Sequence, residues 1–373
     1  MSPRHPYVGL PDRQIWRTDP GIEAPEAFDP VSDVPFAITP QDRVVTAGSC
    51  FAQHLGHRLA GAGFGFHVTE PVHPMIPEEI GRRYGYGLFS ARYGNVYTPR
   101  QLLQLWQRAY GLFVPKAEAW PLAPDGAGPR VVDPFRPRIQ PEGFVSEAEL
   151  AADREVHLAA VRRAVEEADV FAFTLGLTEA WEDARDGAVF PIAPGVAGGR
   201  WTPGEVRFRN FDVAETEADL MAALEFLRAR NPDVRIVLTV SPVPLAATYE
   251  DRHVAVSTAL SKAVLRVAAE SARARLAGCA YFPSFEIITS PHTRARYYEP
   301  DRREVRHAGV THVMRLFLRH FGGVEDLEAT AKAARRAKRR AEREGPAGEA
   351  RTHMERMERG LEAICDESAI DNR

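Results

Sequence analysis

Arg43-Val-Val-Thr-Ala-Gly-Ser-Cys-Phe-Ala-Gln-His-Leu-Gly-His-Arg-Leu59 joins a β-branched run to an amphipathic one across Gly48-Ser49-Cys50. The order reads strand, sharp turn, helix. Gly48 supplies backbone freedom, and Ser49 falls where a helix opens, beside N–H groups that no preceding turn satisfies. Two roles suit a serine there. Its hydroxyl can cap the helix, or it can be a nucleophile at the carboxyl end of a parallel strand, where the helix N-terminus favours developing negative charge. Local chemistry leaves both open. Cys50 adds a thiol whose pKa such a position depresses; the alternative is a small residue packing the helix onto a sheet.

Working outward, strands are expected near 43–47, 63–68, 169–175, 234–240 and 278–282, with helices between them. Asp169-Val-Phe-Ala-Phe-Thr-Leu175 and Val234-Arg-Ile-Val-Leu-Thr-Val240 are nearly continuous apolar runs, the pattern of parallel strands buried on both faces. The expected class is therefore α/β, with a central, mostly parallel five-stranded sheet, doubly wound. Ligands of such sheets bind outside the strand carboxyl ends. Ser49, Gly176, Thr178, Glu179 and Ser241 all fall there.

Thr98 and Pro99 signal a helix start, as cap and first helical residue. The loop before them holds Gly94-Asn95, an ordinary turn pair that is also a candidate source of hydrogen-bond donors to a site. Glu179 and Trp181 suit either a polar, sugar-stacking wall or a core position for the indole.

The 373 residues suit one large domain with insertions and a tail. Residues 1–41, rich in Pro and Asp, read as an extended arm carrying no chemistry; 42–322 form the domain, with an insertion loop at 111–147; 325–373 form a charged helical tail. A net charge of -4 offers no overall field for nucleic acid. The basic run of the tail has flanking acids and no aromatics, so solvated helices are expected there rather than a nucleic-acid surface, with an oligomer contact left open. Three cysteines without metal-ligand spacing give no disulfide framework or zinc site, and no cofactor is implied. No run is long enough for a membrane span, and residues 1–19 lack the apolar core of a signal peptide, so a cytoplasmic location is expected.

Gly48-Ser49-Cys50-Phe51-Ala52 spells the five-letter signature of the GSCFA family, which resembles an offshoot of the SGNH (GDSL-like) hydrolases. The resemblance runs from about Asp42 to Phe321. It implies a three-layer α/β/α fold with Ser49 as nucleophile, and a serine esterase or acyltransferase acting on an O-acyl group, of a small molecule or a glycan. Gly94-Asn95 resembles the second SGNH block, whose glycine N–H faces the oxyanion. Thr178 stands where the Asn of the Gly-x-Asn block would be, and its hydroxyl can donate one hydrogen bond.

The family pattern closes with Asp-x-x-His. Here Asp301 matches the aspartate, and Glu304 falls at the histidine. A carboxylate is a weak base toward a serine unless burial raises its pKa. The candidate replacements are His307, one turn on, which also makes Glu304-x-x-His307 an acid–base pair; His253, from the loop after Ser241; and His312, expected to be a packed histidine. The competing reading is an inactive protein of the same fold that binds a glycan or a partner.

Overall fold

A computed structural model describes residues 5–122, 128–325 and 366–370. The motif stretch is strand β1 (Val44–Gly48) followed by helix α1 (Cys50–Gly61). Three more strands, β4 (Val170–Leu175), β8 (Arg235–Val240) and β9 (Cys279–Tyr281), join it in a parallel sheet of order β1-β4-β8-β9. Each strand after β1 is preceded by a helix: α4 (Glu147–Glu167), α5 (Val213–Arg228) and α6 (Val254–Arg275). Ser146 and Asp212 cap α4 and α5 through their side chains, which satisfies N–H groups at each helix start.

Alternation along the strands divides the core in two. Val45, Phe171, Phe173, Ile236 and Leu238 pack with α4, α5, α6 and with α3 (Pro99–Ala109). Val44, Val170, Ala172, Val237 and Ala280 pack with α1, α7 (Ser284–Thr289) and α8 (His307–Gly322). Both faces are covered, which is why these strands lack polar alternation. Each fully buried phenylalanine, Phe173 among them, contributes about 2–3 kcal/mol of transfer free energy.

Among the described residues the sheet has four strands rather than five. The stretch 63–68 meets β1 only at an isolated parallel bridge, Val44 with Phe66. Gly63 and Gly65 leave it few side chains to pack. After the His67 N–H reaches the Val44 carbonyl at 2.9 Å, the chain turns away, and Thr69 bonds Ser90 instead. The arm before Asp42 is extended with short 3-10 turns, but it is not merely draped over the surface. Phe28, Val31 and Ile38 are buried, and the Ile38 N–H donates to the Phe321 carbonyl at the end of α8.

Two small sheets lie beyond the expected elements. The 111–147 insertion holds the antiparallel pair β2 (Trp120–Leu122) and β3 (Arg130–Val132). Past β4, β5 (Glu179–Asp183) pairs with β6 (Val189–Phe190) and β7 (Val206–Asn210). Helix α2 (Glu78–Arg83) completes the regular elements among the described residues up to 325. Helices expected after residue 325 lie outside the described residues.

Gly48 is the tightest point of this arrangement. Its φ is 139°, a value side chains rarely adopt, and a Cβ there would lie 2.8 Å from the Thr174 Cβ and collide with the Thr174 carbonyl oxygen. Gly48→Ala is expected to cost about 3 kcal/mol or more of unfolding free energy. Urea denaturation checks this; a loss below about 1 kcal/mol contradicts the close approach.

Candidate active site

Ser49 follows β1 with extended backbone (φ -69°, ψ 176°) and occupies the N-cap position of α1. Its side chain makes no capping hydrogen bond. The hydroxyl is buried and has no hydrogen-bond partner among the described residues. Its own N–H is committed to the Thr174 carbonyl at 3.1 Å, so that amide is not available to an oxyanion. A buried hydroxyl without a partner costs about 1–3 kcal/mol, a penalty that structural serines avoid by bonding. Capping, the first role open to this residue, is thus not the one it fills.

Two neighbouring strand ends close around it. A Cβ on Gly176 would come within 3.2 Å of the Ser49 Cβ and 2.9 Å of the Tyr97 ring, so only a glycine lets these segments touch. The Gly176 and Leu177 N–H groups both donate to the Tyr97 carbonyl, and the Val96 N–H donates to Gly48. Ser241, at the end of β8, donates its N–H to Leu175 and accepts the Val243 N–H on its hydroxyl. Together Ser49, Cys50, Tyr97, Gly176, Ser241 and Glu367 line a cleft of about 230 Å³. Beneath it, the buried Lys262 donates from Nζ to the Gly176 carbonyl at 2.6 Å.

Thr178 lies just outside. Its hydroxyl donates to the Asn210 side chain at 2.8 Å and its N–H to Ser261, so the hydroxyl proton is not directed at Ser49. Glu179 accepts from the Thr248 hydroxyl and the Tyr249 N–H; burial raises its pKa despite these bonds. Beside it Trp181 packs edge-on against Trp201 and Tyr249, at 5.1 and 4.8 Å between ring centres, and both partners are exposed.

Gly94 turns with φ 68°, and Asn95 is buried behind it, accepting from Gln53 and donating from Nδ2 to Asp366 at 2.9 Å. Asn95 and Asp366 line a second cleft of about 450 Å³ together with Gln53, Arg136 and Arg138. Its wall is held by ion pairs of buried arginines: Arg136 with the buried Asp133 at 3.0 Å and with the partly exposed Asp153 at 2.9 Å, and Arg92 with Asp153 at 2.8 Å. Burial alone would raise the Asp133 carboxyl, but Arg136, Arg108 and Arg154 outweigh it and hold it well below the usual range.

The expected catalytic acids and bases have hydrogen-bond partners of their own. Asp301 and Glu304 are exposed in one turn, where Asp301 accepts the N–H groups of Arg303 and Glu304. His307 opens α8 with its Nε2 2.6 Å from the Arg58 guanidinium; burial and that charge lower its pKa. His253 caps α6, its Nδ1 accepting from the Ala255 N–H. His312 is buried against the Tyr297 hydroxyl at 2.7 Å and pushed down to about 4 by burial and Arg315. No histidine among the described residues is hydrogen-bonded to Ser49.

The motif turn reaches the cleft by another residue: Arg303 pairs with Glu367 at 2.9 Å. Tyr97, Lys262, Arg303, Asp366 and Glu367 were not marked as site residues by the sequence. For Lys262 a signal exists, since it shares a helix face with the buried Leu265 and Ala269, three and seven residues on. For the acidic pair nothing local points 271 residues back to Asn95.

The fold and cleft define an α/β protein with a buried serine, unpartnered among the described residues, at the carboxyl edge of a parallel sheet. The model of the GSCFA family matches residues 43–317, and the chain belongs to that family. No curated protein matches it. Among the described residues no helix is long and apolar enough to cross a membrane, and no group of three or more His, Cys, Asp or Glu is arranged to hold a metal ion.

Arg136→Met would remove the nearest cation from the fully buried Asp133 and leave it Arg154 at 3.5 Å. It is expected to lower unfolding free energy by about 3–5 kcal/mol. Chemical denaturation measures it, and a change under about 1 kcal/mol contradicts the role of this ion pair in holding the wall.

Proposed function

We propose that the chain is a serine esterase or acyltransferase of the SGNH (GDSL-like) type, with the three-layer arrangement of that class, acting on an O-acyl group. The observation that carries this reading is the Ser49 hydroxyl, buried at the N-terminus of α1 with no hydrogen-bond partner among the described residues. In the reaction the Ser49 Oγ attacks the acyl carbon, and negative charge develops on the carbonyl oxygen. The N-terminal end of α1 favours that charge. The acyl–oxygen bond then breaks, the alcohol leaves with the proton that the Ser49 hydroxyl gives up, and water or a second hydroxyl takes the acyl group and returns a proton to Ser49. The Trp181, Trp201 and Tyr249 rings beside Glu179 support a carbohydrate as bearer of the ester, because exposed aromatic faces stack on sugars while adjacent acids accept hydroxyl protons.

A second reading rests on its own observation. Because His307 bonds Arg58 and His253 caps α6, a glycan- or partner-binding protein without turnover also accounts for the site.

Reaction of the full chain with a fluorophosphonate probe, read by mass spectrometry, separates the two. The expected result is one adduct, on Ser49. Ser49→Ala should abolish it and slow turnover of p-nitrophenyl acetate by about a thousandfold. An unlabelled Ser49 supports the binding reading, and an adduct that persists in Ser49→Ala but vanishes in Cys50→Ala transfers the role to the thiol. His253→Ala and His307→Ala, assayed alongside, should each retain activity if both histidines work from the positions they occupy in this structure; loss in one of them would identify the base and require that side chain to move.

A further inference from the structure

The segment Asp366–Ile370 returns from far along the chain to the Ser49 cleft, and its two carboxylates are bound there in different ways. Asp366 and Glu367 are buried, at 4% and 9% exposure, in a short 3-10 turn. Asp366 accepts from the Asn95 amide at 2.9 Å, and its N–H donates to the Tyr97 hydroxyl at 3.2 Å. Glu367 accepts from the Arg303 guanidinium at 2.9 Å and from the Ala246 N–H at 3.3 Å. Glu367 lines the cleft that holds Ser49, and Asp366 lines the larger cleft on the other side of the 94–97 loop.

The amide, the guanidinium and the backbone N–H that meet these two carboxylates are all hydrogen-bond donors. Such a set recognises negative charge. Buried carboxylates with dedicated donors are not what a solvated tail presents. We propose that Asn95, Arg303 and the Ala246 N–H form a carboxylate-binding subsite that spans the Ser49 cleft and the larger cleft beside it, filled in this chain by Glu367 and Asp366, which an acidic ligand must displace.

The subsite deepens the esterase reading, on which only its substrate class rests: the ester taken by Ser49 bears a carboxylate, on its acyl group or on its alcohol. The 366–370 segment is then a self-inhibitor, since it competes for the donors that would bind that group.

The test uses the full chain and needs no turnover. A fluorescein-labelled peptide of residues 366–373 is titrated against wild type, against the D366N/E367Q double variant, and against that variant carrying R303Q, while hydrogen exchange follows segment 366–370 and Ala246. The double variant should exchange at least tenfold faster in both places and bind the peptide at least tenfold more tightly than wild type. R303Q should reverse the gain in affinity, and a peptide with Asn and Gln at the two acidic positions should bind at least tenfold more weakly. Unchanged exchange, equal affinity of wild type and double variant, or equal affinity of the acidic and neutral peptides would overturn the proposal. Fluorophosphonate labelling of the double variant separates the two readings. Peptide binding without labelling removes the esterase and keeps the subsite. Labelling without peptide discrimination does the reverse.

Discussion

The contact between Gly48 and the Thr174 backbone is the constraint on which the site depends. Two parallel strand ends are drawn together where β1 stops, with the Ser49 N–H donating to the Thr174 carbonyl. That bond fixes Ser49 at the mouth of α1 while using up its amide, so what the residue has left to offer is its hydroxyl. The 94–97 loop completes the cradle, with Val96 bonded to Gly48 and the Tyr97 carbonyl holding Gly176 and Leu177. Because each of these is a backbone bond, the position of Ser49 follows from sheet register rather than from any mobile side chain.

Around this fixed point the chain spends buried charge. The ion pairs of Arg136, Asp133, Asp153 and Arg92 tie the 111–147 insertion and its neighbouring loop to α4, and so shape the larger cleft in which Asp366 sits. Paired buried ions add little net stability but are costly to break, which makes them suited to holding a wall in one place. On the opposite side, Lys262 performs a similar task with one bond to the Gly176 carbonyl.

Local signals carried the parallel sheet well. The strands at 169–175 and 234–240 were legible as continuous apolar runs, and the Thr98 cap with Pro99 was legible from residue types alone, because both depend on neighbours a few positions away. The stretch 63–68 misled for the same reason: its alternation is strand-like, yet glycines and the turn to Ser90 limit it to one bridge. Short strands β5 to β7 escaped notice, since their pairing partners are supplied by loops dense in Gly and Pro. At the site, Ser49, Gly176 and Ser241 could be placed at one edge from topology. The tertiary partners could not. Whether Thr178 faces Ser49 or Asn210, whether His307 faces Ser49 or Arg58, and whether an acidic pair near the end of the sequence meets Arg303 are decided by contacts between distant segments, and no short-range pattern encodes them.

The central claim is that Ser49 has a chemical role rather than a capping one, and its most direct test is a crystal structure of the full chain after treatment with diethyl p-nitrophenyl phosphate. Phosphorus is expected on the Ser49 Oγ, with the phosphoryl oxygen facing the first turn of α1 and segment 366–370 moved from the cleft. Unmodified Ser49 with its hydroxyl bonded to an N–H of α1, as in an ordinary helix cap, would contradict that claim.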